Sequence, residues 1–340
     1  MDMKIHFDIS HVAHLNFFSN AIKQLNDGGH RVFLTVLDRG SLINIARREF
    51  PEYEIYKSGR HRGGVWSIIV EANVIKFFRL LVFYMRRKPD VTLSCGGFVA
   101  GAVMMIAGRK NYQFDDDPER KNNVRLERFT STLLYFPRVV KQQGNIRLYN
   151  GVKEWAYLSP QSFTPDEIAL SEYNLLPGSY FFVREVSRKT LNYMNQEKDQ
   201  VIEAIINATK GMPVLFSLEV KADRYLYPDD WVLLKEPVSD IHSLIYYSRA
   251  LISSGDSMAR EACVLGVPAY YCGGRRMTVN DFLSSTGLFN NVEPQKLAES
   301  IDARDYDENW RKLYRQKLVS EWDDITGLIV SLATAQNTGE

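Results

Sequence analysis

Short apolar runs alternating with amphipathic helical stretches constrain this 340-residue chain more than any other feature. Lys4–Ile9 reads as a strand, and Asn16–Asn26 then carries Phe17, Phe18, Ile22 and Leu25 at helical spacing before Gly28-Gly29 ends the helix. Arg31–Val36 predicts the next strand, followed by a helix over Ser41–Glu49, a strand near Tyr53–Tyr56, a long helix over 66–87 and a strand over 90–94. A helix over Phe98–Ala107 and a strand over Asn111–Phe114 close the series. Strands alternating with helices imply a parallel sheet covered on both faces.

The alternation falters between 144 and 178, where Pro160, Pro165 and Pro177 fall among many polar residues. A second series follows, with strands expected at Tyr180–Arg184, Pro213–Leu218, Trp231–Leu234, Ala250–Ser253 and Pro268–Tyr271, and helices over 308–335. At roughly 150 residues per domain, the expectation is an α/β chain of two doubly wound, Rossmann-like domains facing a cleft. The division reads as 1–150, a linker over 151–178, a second domain over 179–320, and a C-terminal helix over 321–340 packing back on the first.

Composition narrows the function. Lys and Arg number 42 and Asp and Glu 41, a net charge of +1, so no cationic excess suits nucleic acid. The three cysteines, Cys95, Cys263 and Cys272, form no CxxC pair and support neither a disulfide framework nor a zinc site. The opening MDMKIHFDIS lacks a signal-peptide layout, so a cytoplasmic protein is expected. The most apolar stretch, Val65–Met85, is interrupted by Glu71, Lys76 and Arg79 and does not read as a membrane span. Its basic end, Arg86-Arg87-Lys88, suits either a helix C-terminus or peripheral association with the inner face of a membrane.

In open parallel sheets, ligands bind where strands end and helices begin. The most informative such place is Ala250–Pro268: an apolar strand, the turn Ser253-Ser254-Gly255, a helix capped by Asp256 or Ser257, then Gly266 and Pro268. A glycine turn feeding a helix offers free amides and a positive dipole end to a phosphate. The Ser254 and Ser257 hydroxyls could add hydrogen bonds, and Glu261, about one turn in, could reach ribose hydroxyls. A plain strand–turn–helix crossover accounts for the same spacing. No GxGxxG follows either first strand, which disfavours a nicotinamide enzyme. Arg184 ends the second domain's first strand and could face a donor phosphate or an ion-pair partner such as Glu185, and Gly273-Gly274-Arg275-Arg276 offers amides and guanidinium groups. In the first domain, His11 and His14 follow the first strand, Gly96 and Gly97 follow the strand at 90–94, and Asp115-Asp116-Asp117 follows the next. An imidazole there can act as a base near neutral pH or simply satisfy a helix start. No third ligand joins the two histidines, so no metal site is assigned. Of the aspartates, Asp115 is read as touching an acceptor hydroxyl, the alternative being a solvated acidic turn.

The run Ser254-Gly255, Glu261, then Gly266-Val267-Pro268 resembles the donor-binding signature of GT-B glycosyltransferases. Among them is the bacterial transferase that adds N-acetylglucosamine to the lipid-linked muropeptide, and the non-hydrolysing UDP-N-acetylglucosamine 2-epimerases carry a related stretch. The chain is most similar to an uncharacterised GT-B-like family of archaea and bacteria. The likeness runs through Asp8-Ile9-Ser10, His14, Phe17-Phe18, Asn150-Gly151, Val183–Ser187, Gly255–Ala262, Leu265–Pro268 and Gly287-Leu288, covering about 4–290. Asp256 stands where that family usually has a second glycine, and His11-Val12-Ala13 where it tends to have Asn-Ala-Pro. The resemblance implies a metal-independent glycosyltransferase without a cofactor. It would move a sugar from a nucleotide-sugar to a carbohydrate or lipid-linked acceptor, with His14 as base and Met258 among the donor contacts. A 2-epimerase-like enzyme and a non-catalytic binding relative are the alternatives.

Overall fold

The computed structural model describes residues 2–62, 67–186, 198–236, 238, 240–301 and 306–335. These fall into two compact units, Met1–Tyr157 with Trp322–Glu340, and Leu158–Glu321.

The first unit runs β1 (Lys4–Ile9), α1 (Val12–Asp27), β2 (Arg31–Asp38), α2 (Leu42–Glu49), β3 (Ile55–Arg60), a π-helical segment (Ser67–Ile75), α3 (Lys76–Arg87) and β4 (Val91–Cys95). It continues through α4 (Val99–Ile106), β5 (Lys110–Phe114), α5 (Lys121–Thr130), β6 (Leu133–Pro137) and β7 (Ile146–Tyr149), with the short α6 (Trp155–Leu158) at its border. All neighbouring strands are parallel, in the order β3-β2-β1-β4-β5-β6-β7. The order reverses between β1 and β4, the switch point where open sheets bind ligands.

Alternation along β1 sets its two faces. Ile5, Phe7 and Ile9 are fully buried, and Phe7 meets Phe18 of α1 at 5.1 Å between ring centroids. Burying side chains such as Phe17, Phe18 and Ile22 contributes about 1.5–3 kcal/mol each, which fixes α1 on that face. His6 and Asp8 point the other way, toward α3. His6 lies 4.8 Å from the Phe83 ring and bonds Thr92 and Thr35 at 3.0 and 2.9 Å. Asp8 pairs with the buried Lys76 ammonium at 2.6 Å, which also donates to Ser10 Oγ. Burial lowers the His6 pKa to about 4.

The second unit contains β8 (Phe181–Glu185), α7 (Lys198–Ala208), β9 (Val214–Leu218), β10 (Val232–Leu233), α8 (Ile241–Tyr246), β11 (Ala250–Ser253) and α9 (Asp256–Val264). Then come β12 (Ala269–Tyr271), α10 (Thr278–Ser284), β13 (Phe289–Asn291), α11 (Leu297–Ser300) and α12 (Glu308–Glu321). The sheet order is β10-β9-β8-β11-β12-β13, again parallel, with its switch point between β8 and β11. Finally α13 (Ile325–Thr334) packs on α1 in the first unit. Asp323 accepts from the Asn150 amide at 2.7 Å and Thr326 donates to the Ala156 carbonyl at 2.9 Å.

Several elements differ from the sequence expectation. α1 starts at Val12, so His14 sits inside its first turn. β3 lies at Ile55–Arg60 rather than Tyr53–Tyr56, because an edge strand with Lys57, Ser58 and Gly59 carries little apolar signal. The expected 66–87 helix divides into π-helical and α-helical parts, and its first residue lies outside the described residues. α5, β6, β7 and β13 were not anticipated; β7, at 146–149, falls inside the region read as irregular. Ser187 of the Val183–Ser187 run and 336–340 of the C-terminal segment also lie outside the described residues. No helix among the described residues is long and apolar enough to cross a membrane.

Candidate functional site

The loops after β1 and β4 meet at the first switch point, and they bring His14 and Gly96 together. Gly96 has φ +65°, and a Cβ there would stand 3.3 Å from His14 Cε1 and 3.5 Å from Arg120 Nη2. Glycine supplies both the left-handed turn and room for the imidazole. Gly97 is open, since a Cβ there would meet nothing within 4 Å, and its carbonyl accepts from Gln113 at 2.9 Å.

The His14 pKa is pulled well below that of an ordinary imidazole. Burial is the main cause, followed by His11 and the charges of Lys153 and Arg120, with Asp116 opposing. His14 is therefore neutral at pH 7, and its buried Nδ1 has no hydrogen-bond partner among the described residues. His11, 5.9 Å away between ring centroids, is exposed and caps α1 by accepting from the Ala13 amide at 3.2 Å.

The three aspartates after β5 are buried rather than solvated. Asp115 Oδ1 accepts from the amides of Asp116 and Asp117 at 2.8 and 3.1 Å and from Arg120 at 3.0 Å. Its carboxylate thus organises the loop, and the expected contact with an acceptor hydroxyl competes with these partners. Asp116 pairs with Lys153 at 2.7 Å and Asp117 with Arg120 at 2.8 Å. Glu127 adds a buried carboxyl against Asp115; burial and that neighbouring charge push its pKa up to about 10, so it holds a proton. Burial also raises Asp115, against the pull of Arg120. Glu127, Lys153 and Arg120 were not read as site residues, because only the fold brings them to the β5 loop.

In the second unit, the end of β8 and the β11–α9 turn meet at the other switch point. A Cβ on Gly255 would stand 2.5 Å from Val186 Cγ1, so only glycine lets the turn pass this close. Ser254 is committed to the same junction: its hydroxyl donates to Glu185 Oε1 at 2.6 Å and accepts from the Val186 amide at 3.0 Å. It is fully buried, so the hydroxyl expected to bind phosphate is a structural tie instead. Gly255 precedes Asp256, Ser257 and Met258 in the first turn of α9, where amides lack intrahelical partners. Asp256 lies 3.6 Å from Arg275, whose amide donates to the Tyr271 hydroxyl at 3.3 Å. This cation offsets the carboxylate charge at the start of α9.

Arg184 donates to Ser217 at 3.0 Å and lies 3.6 Å from Glu219, a different partner from the Glu185 suggested by sequence. Burial lowers its pKa. Glu261, in the second turn of α9, lies 3.5 Å from His242 Nε2, and the His242 ring meets Phe163 edge-on at 5.8 Å. His242 and Phe163 were missed, being distant in sequence from the motif they adjoin.

Among the described residues no group of His, Cys, Asp or Glu side chains is arranged to hold a metal ion. A depression of about 550 Å³ lined by Lys4, His30, Arg31 and Tyr53 lies at the amino ends of β1 and β2, away from the switch point.

Two parallel sheets, each with strand order 3-2-1-4-5-6 about its own first strand and one extended by β7, make this a GT-B-like α/β protein with two Rossmann-like domains. The chain belongs to a family of proteins of unknown function, DUF354, whose sequence profile matches residues 141–337. Solved structures share the fold over nearly the whole chain. S. aureus MnaA, solved with UDP, is 14% identical over 97% of this chain and 95% of its own, with a TM-score of 0.69. The UDP-GlcNAc 2-epimerase of Methanocaldococcus jannaschii, solved with UDP-GlcNAc and UDP, is 14% identical over 94% of this chain and 100% of its own, at 0.65. The glycosyltransferase VinC, solved with DTDP, is 11% identical over 98% of this chain and 100% of its own, at 0.64. At these identities the likeness establishes the fold. None of the curated proteins matches the chain.

Proposed function

We propose that this protein is a glycosyltransferase that moves a sugar from a nucleotide-sugar, UDP-linked, to a hydroxyl acceptor in surface polysaccharide or glycoconjugate synthesis. The observation that carries the reading is His14, a neutral, inward-facing imidazole with an unpartnered Nδ1 at the first unit's switch point. A neutral imidazole accepts a proton at pH 7, whereas a protonated one does not.

The donor is assigned to the second unit. Its diphosphate sits against the first amides of α9, and Glu261 accepts from the ribose hydroxyls. The acceptor is assigned to the first unit, beside Gly97 and Asp116. His14 takes the proton from the acceptor hydroxyl as its oxygen attacks the anomeric carbon. The bond to the diphosphate breaks, and the helix dipole with Arg275 stabilises the departing charge. No metal or organic cofactor enters this scheme.

A second reading is a UDP-GlcNAc 2-epimerase-like enzyme. It draws on Glu127 and Asp115, two buried carboxyls whose pKa values burial raises, as a candidate acid–base pair. MnaA and the M. jannaschii epimerase, named above, share its fold. Incubation with UDP-N-acetylglucosamine separates the readings. UDP release that depends on an added acceptor supports transfer, and an epimer formed without acceptor supports the second reading. Binding without conversion would overturn both in favour of a non-catalytic relative.

A further inference from the structure

In the first unit, α3, α4 and α5 lie side by side on one face of the sheet, and their outward surface gathers exposed apolar side chains. Phe78 of α3 is 60% exposed, Ile106 of α4 64% and Phe129 of α5 74%. Met85, Met105 and Leu126 are exposed beside them. Soluble proteins scatter single apolar residues over their surface, but a run across three adjacent helices marks an interaction site.

The exposed charges on these helices have one sign. Arg79, Arg86, Arg125 and Arg128 are exposed and have no acidic partner among the described residues. The three helices contain a single acidic residue, Glu127, and it is fully buried. The chain carries about as many acids as bases overall, so their absence here is local.

We infer that this face docks on the surface of an anionic lipid bilayer. The aromatic and aliphatic tips enter the boundary between headgroups and acyl chains while the arginines meet the lipid phosphates. A second copy of the face fits poorly, because self-association would bring like charges together. Nucleic acid would use the arginines and leave the apolar tips in water. The inference does not rest on the nucleotide-sugar reading, since none of these side chains belongs to the assigned donor or acceptor site.

Cosedimentation of the full chain with vesicles tests it. Vesicles of phosphatidylcholine mixed with phosphatidylglycerol should bind the protein, and pure phosphatidylcholine at least about tenfold more weakly. Added salt should weaken the first interaction. The double variants Phe78→Ser/Phe129→Ser and Arg79→Glu/Arg125→Glu should each lower binding at least about tenfold. All four residues are exposed, and unchanged melting temperatures would confirm folding. If one variant fails to fold, Met85→Ser with Leu126→Ser replaces it. Four results would overturn the inference: no binding to the anionic vesicles, equal binding by the wild type and folded variants, retention on DNA without vesicle binding, or a wild-type dimer in sedimentation that Phe78→Ser/Phe129→Ser converts to monomer.

Discussion

Replacing Gly255 with alanine tests the geometry of the β8–α9 junction and the donor assignment together. The added Cβ would stand 2.5 Å from Val186 Cγ1, and carbon atoms pack best about 3.5–4.0 Å apart. The two segments must therefore separate by about 1 Å. Neither gives way easily. Valine is stiff at χ1, and the Val186 amide and the Ser254 amide are hydrogen-bonded across the junction at 3.0 and 3.1 Å. Overpacking of this kind costs about 1–3 kcal/mol. In a unit of this size, about 2–4 °C of melting temperature is lost per kcal/mol. The same displacement moves the first amides of α9, so nucleotide-sugar affinity should fall as well. Val186→Ala removes Cγ1 and leaves the two Cβ atoms 3.7 Å apart, an ordinary contact. A double-mutant cycle by thermal unfolding, with calorimetry on a nucleotide-sugar, should show the double variant recovering most of both losses beyond the cost of Val186→Ala alone. Unchanged stability of Gly255→Ala, or a loss that Val186→Ala does not relieve, would refute the steric reasoning. Restored stability with no change in affinity throughout would remove α9 from the donor site.

Glu261→Ala should weaken nucleotide-sugar binding by roughly 1.5–3 kcal/mol, the value of hydrogen bonds to a charged group; unchanged affinity in a folded variant takes Glu261 out of the site. His14→Ala should lower kcat by about two to four orders of magnitude with little change in donor affinity, and near wild-type turnover would rule out the base role. Turnover should survive EDTA; activity that EDTA abolishes and manganese restores would make Asp115, Asp116 and Asp117 metal ligands. His6, with a folded pKa of about 4 against about 6.5 unfolded, favours the folded state only while neutral. Its contribution is complete above about pH 6.5 and is lost as pH falls toward 4, about 3 kcal/mol in all. Urea titrations of His6→Gln should lack that part of the acid slope, and a parallel wild-type profile would show that burial does not depress this imidazole.

The alternation of strand and helix was legible in the residues because each element carries its own pattern. Ile5, Phe7 and Ile9 alternate along β1, Phe17, Phe18, Ile22 and Leu25 repeat along α1, and Gly255 and Gly266 bracket α9. These are local signals, set by backbone period and turn chemistry, and they placed Gly96 and Gly255 in the turns after strands and His14 and Glu261 on the helices that follow. The edge strands β3, β7 and β13 were harder to see, because a short strand at a sheet margin needs little apolar surface. What each polar side chain does there was decided by tertiary structure. Asp115, Asp116 and Asp117 look alike in the chain, yet Arg120 and Lys153 divide them, and Glu127 becomes an acid only because folding buries it against Asp115. Ser254 is likewise drawn away from any ligand by Glu185, 69 positions earlier. Hydrogen bonds and charges act over a few ångströms in space regardless of separation along the chain, so the sequence determined where the candidate sites lie and the packing determined which groups are left to act in them.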